Sequence, residues 1–172
     1  MKLQIANIPK IFLFIFLIVF LIFIIPALYF VDKDYFICPI EYEDDIIIRN
    51  DEMGKGVFNA PRSRGRKHKG IDLYAQVGTE IKAVRFAQVQ EVGFHKKLGN
   101  FVYLRHPGDL ITVYGHLQQF LVKTGQLVAQ GEIIGYVGKT GNAKHHKILP
   151  HVHFETRINN TPVDPLDWLK ER

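Results

Sequence analysis

Two histidines and a carboxylate occupy alternate positions in the run PHVHFETR, residues 150–157. In a β-strand successive side chains point to opposite faces, so His151, His153 and Glu155 share one face while Val152 and Phe154 share the other. The apolar face suits a hydrophobic core. Burying two imidazoles and a carboxylate on the opposite face is costly unless they bind something. The run is therefore predicted to be a strand that carries a binding or catalytic site.

Two further motifs supply residues of the same chemical types. His68 and Asp72 are four positions apart in HKGIDLYA, and His116 stands near the end of a strand-like run in VYGHL. The glycine between His68 and Asp72, and the alternation that follows it, favour a turn that leads into a strand. Such a strand turns Asp72 away from Ile71 and Leu73, which are predicted to face the core.

The chemistry of these side chains favours zinc. Zinc binds imidazole nitrogen and carboxylate oxygen, and a catalytic zinc site uses three protein ligands and leaves the fourth position for water. Calcium and magnesium prefer oxygen ligands. Cys38 is the one cysteine, which excludes a thiolate site, and the one serine, Ser63, lies in no nucleophile-like turn. Each motif alone is weak, but three in one domain predict metal-assisted hydrolysis.

The other four histidines are predicted to be exposed rather than to bind metal. They stand in turn-like or loop-like sequence, where a histidine usually serves as a polar surface residue. They are His95, His106, His145 and His146. If the metal centre has an additional ligand, His145 or His146 is the expected one.

The elements that position these residues are predicted to be short strands. Most of the chain after residue 56 shows β-branched or aromatic alternation bounded by Gly, Asn or Pro, as in NFVYLRH, LITVYGHL and HVHFETRI. Segments that begin at Val77 and Lys123 each place a glycine turn before an apolar strand and end on Val-Gly, a weak repeat typical of a small sandwich or barrel. Only PLDWLKER favours a helix. The predicted fold class is all-β.

The N-terminal part predicts a membrane anchor. Residues 11–31 carry no charge, and as a helix they would extend about 31 Å, the thickness of a bilayer core. A signal peptide has a shorter apolar region and a small-residue cleavage site, so the anchor is favoured. Flanking charges place residues 1–10 in the cytoplasm and export everything that follows the anchor. The expected location is the bacterial cytoplasmic membrane, spanned once, with the catalytic domain in the periplasm or on the outer face.

Charge separates the exported part into two regions. Residues 32–52 belong to an acidic juxtamembrane segment, interpreted as a linker although a first edge strand is an alternative. Residues 53–172, the predicted domain, hold eighteen Lys or Arg against nine Asp or Glu, a net charge of +9. A basic exported domain suits a polyanionic surface such as cell wall or acidic lipid, and no nucleic acid partner is expected. The acidic segment is a candidate cover for the site.

HKGIDL, YGHL and PHVHFETR occur in the order and context of the lysostaphin/LytM-like zinc endopeptidases, and residues 54–166 resemble that family. FNAPR before the first motif, GTEIKAV after it and the closing VDPLDWL are part of the same resemblance. The resemblance implies the family's β-sheet groove, called the duplicated hybrid motif. It also implies hydrolysis of peptide bonds in bacterial peptidoglycan, in stem cross-links or in interpeptide bridges.

The resemblance also assigns roles to individual residues. His68, Asp72 and His153 match the family's Zn²⁺ ligands, whereas His116 and His151 match its two catalytic histidines that do not bind the metal. In the implied mechanism zinc activates water, and the two histidines share the proton transfers and the support of the oxyanion.

Two features depart from the family's common form. The loop GNAKHHKIL replaces a usual small-residue STG, which makes the substrate preference hard to infer. The basic run RSRGRKH contains no tyrosine to assist the oxyanion, so a histidine is expected to do so. Glu155 is expected either to orient a ligand ring or to be a solvated strand-end carboxylate.

Two other functions compete with the enzyme. The first is a non-catalytic LytM-like wall-binding or amidase-regulating module, which would lack zinc ligands; here every ligand position is filled. The second is a biotinyl- or lipoyl-type carrier, suggested by VKTGQLVAQGEIIGYVG, but Lys82 and Lys139 lack the setting of a modified hairpin tip. The enzyme is favoured, and a regulatory protein partner remains an expectation beside it.

Overall fold

The computed structural model describes residues 10–24 and 28–169, and the chain divides into two compact units after Val31. In the first unit, helix α1 (Lys10–Val19) continues as a π-helix over Phe20–Ile24, with exposed apolar side chains. Among the described residues no helix is both long and apolar enough to cross a membrane, so the predicted span over 11–31 is not confirmed. Residues 1–9 of the predicted cytoplasmic segment and 25–27 of the predicted span lie outside the described residues.

The second unit consists of short strands and 3₁₀ turns, which confirms the predicted all-β class. Its strands are β1 (Asn50–Asp51), β2 (Gly54–Lys55), β3 (Ile71–Tyr74), β4 (Glu80–Lys82), β5 (Ala87–His95), β6 (Gly99–His106), β7 (Leu110–Leu117), β8 (Gln119–Phe120), β9 (Leu127–Val128), β10 (Ile133–Tyr136), β11 (His151–Ile158) and β12 (Thr161–Val163). The 3₁₀ turns are Ser63–Gly65, Gly141–Lys144 and Pro165–Asp167. The helix predicted for PLDWLKER is this last short turn, and residues 170–172 lie outside the described part.

Within residues 28–169 the strands form a seven-stranded, a three-stranded and a two-stranded sheet, all antiparallel. The large sheet has the order β12-β11-β7-β6-β5-β9, with β3 also paired to β11. The smaller sheets have the orders β4-β10-β8 and β1-β2. The predicted strands LITVYGHL and HVHFETRI are β7 and β11 residue for residue.

Strand β11 brings the predicted site residues of neighbouring strands together. One edge pairs with β7, which sets His153 opposite Gly115, and the other edge pairs with β3, which sets His153 opposite Asp72. The alternation predicted for β3 and β11 is confirmed, because Ile71 and Phe154 are fully buried in the hydrophobic core. The polar side chains that alternate with these residues along the two strands face the opposite side of the sheet.

The core extends into both sheets and into the acidic segment. Side chains of β4 and β10 join those of β5, β6, β7 and β11 in one buried cluster. From residues 32–52, Phe36 and Ile40 are each 1% exposed in that cluster, and Ile48 forms a bridge to Leu73 of β3. This segment therefore packs with the compact unit that carries the site.

Candidate active site

Pairing of β3 with β11 brings two of the predicted metal ligands together. Asp72 Oδ1 lies 2.9 Å from His153 Nδ1 and 3.0 Å from His68 Nε2. His68 arrives from the loop before β3, and its Nε2 lies 2.9 Å from His153 Nδ1. All three side chains are buried. The three residues that the sequence predicts as ligands thus meet at one point.

The three donor atoms suit a small divalent cation. All lie within 4.8 Å of one another, and their separations approach the edge of a tetrahedron, about 3.3 Å for zinc bonds of about 2.0–2.1 Å. Two imidazole nitrogens and one carboxylate oxygen form a donor set that zinc accepts, with a fourth position left for water. Within the described residues, this is the cluster of histidine and acidic side chains that could hold a metal, and neither His145 nor His146 joins it.

Hydrogen bonds on the far side of each ring direct the ligand nitrogens inward. His68 Nδ1 donates to the carbonyl of Val57 at 2.9 Å. His153 Nε2 donates to Glu155 Oε1 at 2.9 Å, and Arg157 holds the other oxygen of Glu155. With protons on these outer nitrogens, His68 Nε2 and His153 Nδ1 would have lone pairs available for a cation placed beside Asp72; without a cation they donate to Asp72 Oδ1. Glu155 is therefore a buried partner of the His153 ring and not a solvated strand-end carboxylate; that it orients a metal ligand stays a prediction.

Electrostatics favour a charged carboxylate at this point. Burial tends to raise the pKa of Asp72, but hydrogen bonds from His153 and His68 outweigh it and hold the pKa well below its usual range. Burial tends to lower the pKa of His153, yet hydrogen bonds to Asp72 and Glu155 raise it to about 9. A cation held by His153 would require the neutral ring, so its binding would displace a proton.

The two predicted catalytic histidines stand beside the cluster. The His116 ring centre lies 4.8 Å from that of His151 and 5.9 Å from that of His153. His151 Nε2 is 3.8 Å from Asp72 Oδ1. His116 adopts a positive φ of 65° at the end of β7, a conformation for which histidine is one of the more tolerant residues.

Both of these rings keep one nitrogen open. His116 Nδ1 donates to the Thr140 carbonyl at 3.0 Å, and His151 Nδ1 donates to the Leu149 carbonyl at 2.7 Å. Their Nε2 atoms are therefore unprotonated acceptors. Burial lowers the pKa of His116 to about 3 and that of His151 to about 4. Both rings are neutral near pH 7.

A groove of about 1060 Å³ opens over these residues. Seven Arg or Lys side chains and two carboxylates are among the described residues that line it. The two carboxylates are Asp72 and Glu155, which already serve the metal cluster and its support. The groove around the cluster is consequently positive.

The remaining histidines match their prediction unevenly. His95, His145 and His146 are exposed, as predicted, and the last two stack with ring centres 4.6 Å apart. The prediction for His106 is wrong, because it is buried, with Nδ1 2.9 Å from the Phe86 carbonyl and Nε2 2.8 Å from Thr112 Oγ1.

Two arginines contact Asp72 without having been predicted. Arg49 reaches Asp72 Oδ2 from the acidic segment at 2.9 Å, and Arg62 approaches the same oxygen at 3.4 Å. Arg49 lies 23 residues before its partner, and no spacing rule links the two. Arg62 belongs to the basic run before His68. The short distance in sequence between that run and the acidic residue Asp72 could have predicted this ion pair.

Residues 66–165 match peptidase family M23. The chain belongs to this family. The predicted resemblance to lysostaphin-like endopeptidases is thereby confirmed. M23 relatives include the peptidoglycan DD-endopeptidase ShyC of Vibrio cholerae, 41% identical over 100 residues, which cover 58% of this chain and 22% of ShyC. The chain therefore spans about a fifth of that relative.

Solved M23 structures share the fold. The catalytic domain of lysostaphin from Staphylococcus simulans is 32% identical, with a TM-score of 0.59 over 70% of this chain and 93% of that chain. A zinc-containing peptidase from Vibrio cholerae is 28% identical, with a TM-score of 0.64 over 82% of this chain and 41% of that chain.

Proposed function

We propose that this M23 chain is a zinc-dependent endopeptidase that hydrolyses peptide cross-links of bacterial peptidoglycan. The observation that carries the proposal is the buried set His68, Asp72 and His153, flanked by two neutral histidines in one groove. The name of the relative ShyC, a peptidoglycan DD-endopeptidase, supports the substrate. A non-catalytic module would have no need of His116 and His151 beside the metal ligands.

His68, Asp72 and His153 would hold the zinc ion, which when bound supplies a Lewis acid that activates water and polarises the scissile carbonyl. The chain's own histidines then handle protons. Because Nδ1 of both His116 and His151 is hydrogen-bonded to a carbonyl, both enter the reaction with Nε2 as a proton acceptor. The ring that takes the proton from water becomes the donor that passes it to the leaving amine.

Support of the oxyanion follows from the same rings. A neutral ring with its proton on Nδ1 has no hydrogen to offer at Nε2, so it stabilises negative charge only after protonation. The low dielectric of the buried site strengthens that interaction. His116 and His151 thus act as a pair, with one cationic ring at a time.

The positive groove favours an anionic peptide as substrate. Lys67, Lys69 and Lys97 line it, and its two carboxylates are already hydrogen-bonded. A stem cross-link carries free carboxylates, whereas a glycine bridge is neutral. We therefore propose stem cross-links ahead of interpeptide bridges, on the ground of charge complementarity.

The test is mass spectrometry of muropeptides. Purified sacculi are incubated with the zinc-loaded chain in detergent, beside His153→Ala and His151→Ala variants. New fragments are expected with the wild type alone, and their masses identify the bond. The His151→Ala variant keeps the metal ligands, so its inactivity separates proton transfer from metal binding. A folded wild type that binds zinc and releases no fragment would refute the endopeptidase.

We further propose that residues 11–31 attach the chain to the cytoplasmic membrane, with the catalytic unit outside. The absence of charge in this segment and the exposure of its apolar side chains at residues 11–24 support the proposal. Alkaline extraction of membranes is the test. Release of the chain into the soluble fraction would contradict attachment by a spanning segment.

A further inference from the structure

Residues 46–56, here called the strap, cross the outer edge of β3 next to the metal cluster. Backbone bonds tie the two together: Arg49 N donates to Asp72 O at 2.8 Å, and Asp72 N donates to Gly56 O at 2.7 Å. Gly56 N in turn donates to Arg49 O at 2.8 Å. The strap therefore holds the backbone of Asp72 from the side opposite β11.

The approach of the strap to Asp72 leaves no spare room. A Cβ added at Gly56 would lie 2.8 Å from the Arg49 carbonyl oxygen and 2.8 Å from Asp72 Cβ. Any larger residue would push the strap away from Asp72. At this close approach the Arg49 side chain contacts the Asp72 carboxylate.

The Arg49 guanidinium divides its donors between two carboxylates. Nε and Nη2 donate to Asp72 Oδ2 at 3.2 and 2.9 Å, while Nη1 donates to Asp51 Oδ2 at 2.6 Å. Arg49 is 5% exposed, so water does not compete for these donors. Oδ1 of Asp72, on the other side of the carboxylate, faces His68 and His153.

The strap also reaches the support of a catalytic histidine. Asp51 Oδ2 accepts a hydrogen bond from Leu149 N at 2.9 Å, and the carbonyl of Leu149 accepts the bond from His151 Nδ1. The strap thus contacts the metal ligand Asp72 directly and the proton acceptor His151 through Leu149.

We propose that Arg49 is a positioning residue for the metal centre, which holds Oδ2 of Asp72 so that Oδ1 stays directed at the metal position. Without that fork only the longer contact of Arg62, at 3.4 Å, still holds Oδ2, and the carboxylate can rotate about its terminal torsion, which has only a weak preference. Arg49 lies before the residues that match the family model, 66–165. The proposal rests on the proposed function in one respect, the binding of zinc.

The experiment measures zinc affinity by competition with a chromophoric chelator, on the full chain in detergent. Arg49→Met is expected to weaken zinc binding about 10- to 100-fold, the usual cost of losing a residue that orients a ligand. Arg49→Lys is expected to fall between Arg49→Met and the wild type, because the charge remains but the two-donor fork is lost.

Arg85→Met is the matched control. Arg85 also makes paired contacts to carboxylates, at 2.6 Å to each oxygen of Asp32 and 2.9 Å to Asp34, but it does not line the groove. Its loss is expected to lower the melting temperature and to leave zinc affinity unchanged. A merely structural role of Arg49 would give the same pattern as Arg85.

Each outcome decides the proposal. Wild-type zinc affinity in Arg49→Met or in Arg49→Lys overturns the positioning role while the proposed function stands. An equal loss in Arg85→Met also overturns it. If Arg49→Met does not fold, Arg49→Lys retains the buried charge and decides alone. A wild type that binds no zinc refutes the proposed function, and the inference falls with it.

Discussion

Replacing Gly70 by alanine tests whether the spacing between β11 and the loop before β3 sets the geometry of the site. A Cβ at this position would lie 2.1 Å from the Phe154 carbonyl oxygen and 2.9 Å from Glu155 Cγ. Since ordinary contacts begin near 3.4 Å, the two segments must separate by more than about 1 Å. Overpacking of this kind costs about 1–3 kcal/mol.

The same displacement acts on the metal ligands. Gly70 lies between His68 and Asp72, while Phe154 follows His153, so the three donor atoms move apart. A misplacement of about 1 Å can cost about 100-fold in rate. We expect the melting temperature to fall by about 5–10 °C, with zinc affinity and muropeptide cleavage both reduced.

Gly108→Ala is the control for this variant. Gly108 has a φ of +79° and open space around its Cβ position, in the turn between β6 and β7, so alanine there costs about 1–2 kcal/mol of backbone strain alone. The control should lose stability and keep its zinc affinity, as measured by thermal unfolding and chelator competition. Wild-type zinc affinity and turnover in Gly70→Ala would refute the reasoning.

Three other predictions concern charge. Glu155→Gln should weaken zinc binding about 10- to 100-fold, since it removes the charge of the group that accepts a hydrogen bond from His153 Nε2. Equal zinc affinity in the variant and the wild type, measured by chelator competition, would show that Glu155 does not support His153 in metal binding. Burial lowers the pKa of His106 to about 4 from 6.5, so its contribution to the stability of the metal-free chain is present above pH 6.5 and lost towards pH 4, by up to about 1.4 kcal/mol per pH unit. In denaturant unfolding, the free energy of unfolding of His106→Gln should fall less steeply between pH 6.5 and pH 4 than that of the wild type. Equal slopes in the two proteins would contradict this role of His106. Lys97→Glu should raise KM for a cross-linked muropeptide about 3- to 10-fold, with Lys123→Glu unchanged as the control; equal KM values would exclude charge selection by the groove.

Local alternation was enough to predict the central strands. In β11 the sequence places apolar and polar side chains on opposite faces, and pairing with β3 then puts Asp72 beside His153. Alternation along β6 also indicated that His106 is buried, although the turn-like sequence RHPGD suggested an exposed position. Val102, Leu104 and His106 alternate along β6, and all three are buried, so the strand period alone would have placed His106 in the core.

Contacts between segments far apart in the chain could not be predicted from the sequence. Arg49 stands in an acidic stretch, and its pairing with Asp72 depends on the backbone path of the strap rather than on any local period. The apolar run at residues 11–31 predicted a helix without indicating its type, and the described part is α-helix over Lys10–Val19 and π-helix over Phe20–Ile24. Hydropathy reports the environment of side chains, not the spacing of backbone hydrogen bonds.

The left-handed backbone of His116 restricts how this position can change in descendants of the protein. Asparagine, aspartate and glycine accept a φ near 65° at little cost, whereas β-branched residues do not. A lineage that lost the proposed hydrolysis but kept the folded domain would therefore tend to exchange His116 for one of those three. The residue type at position 116 would then distinguish members that lost catalysis, even where the sheet around it is unchanged.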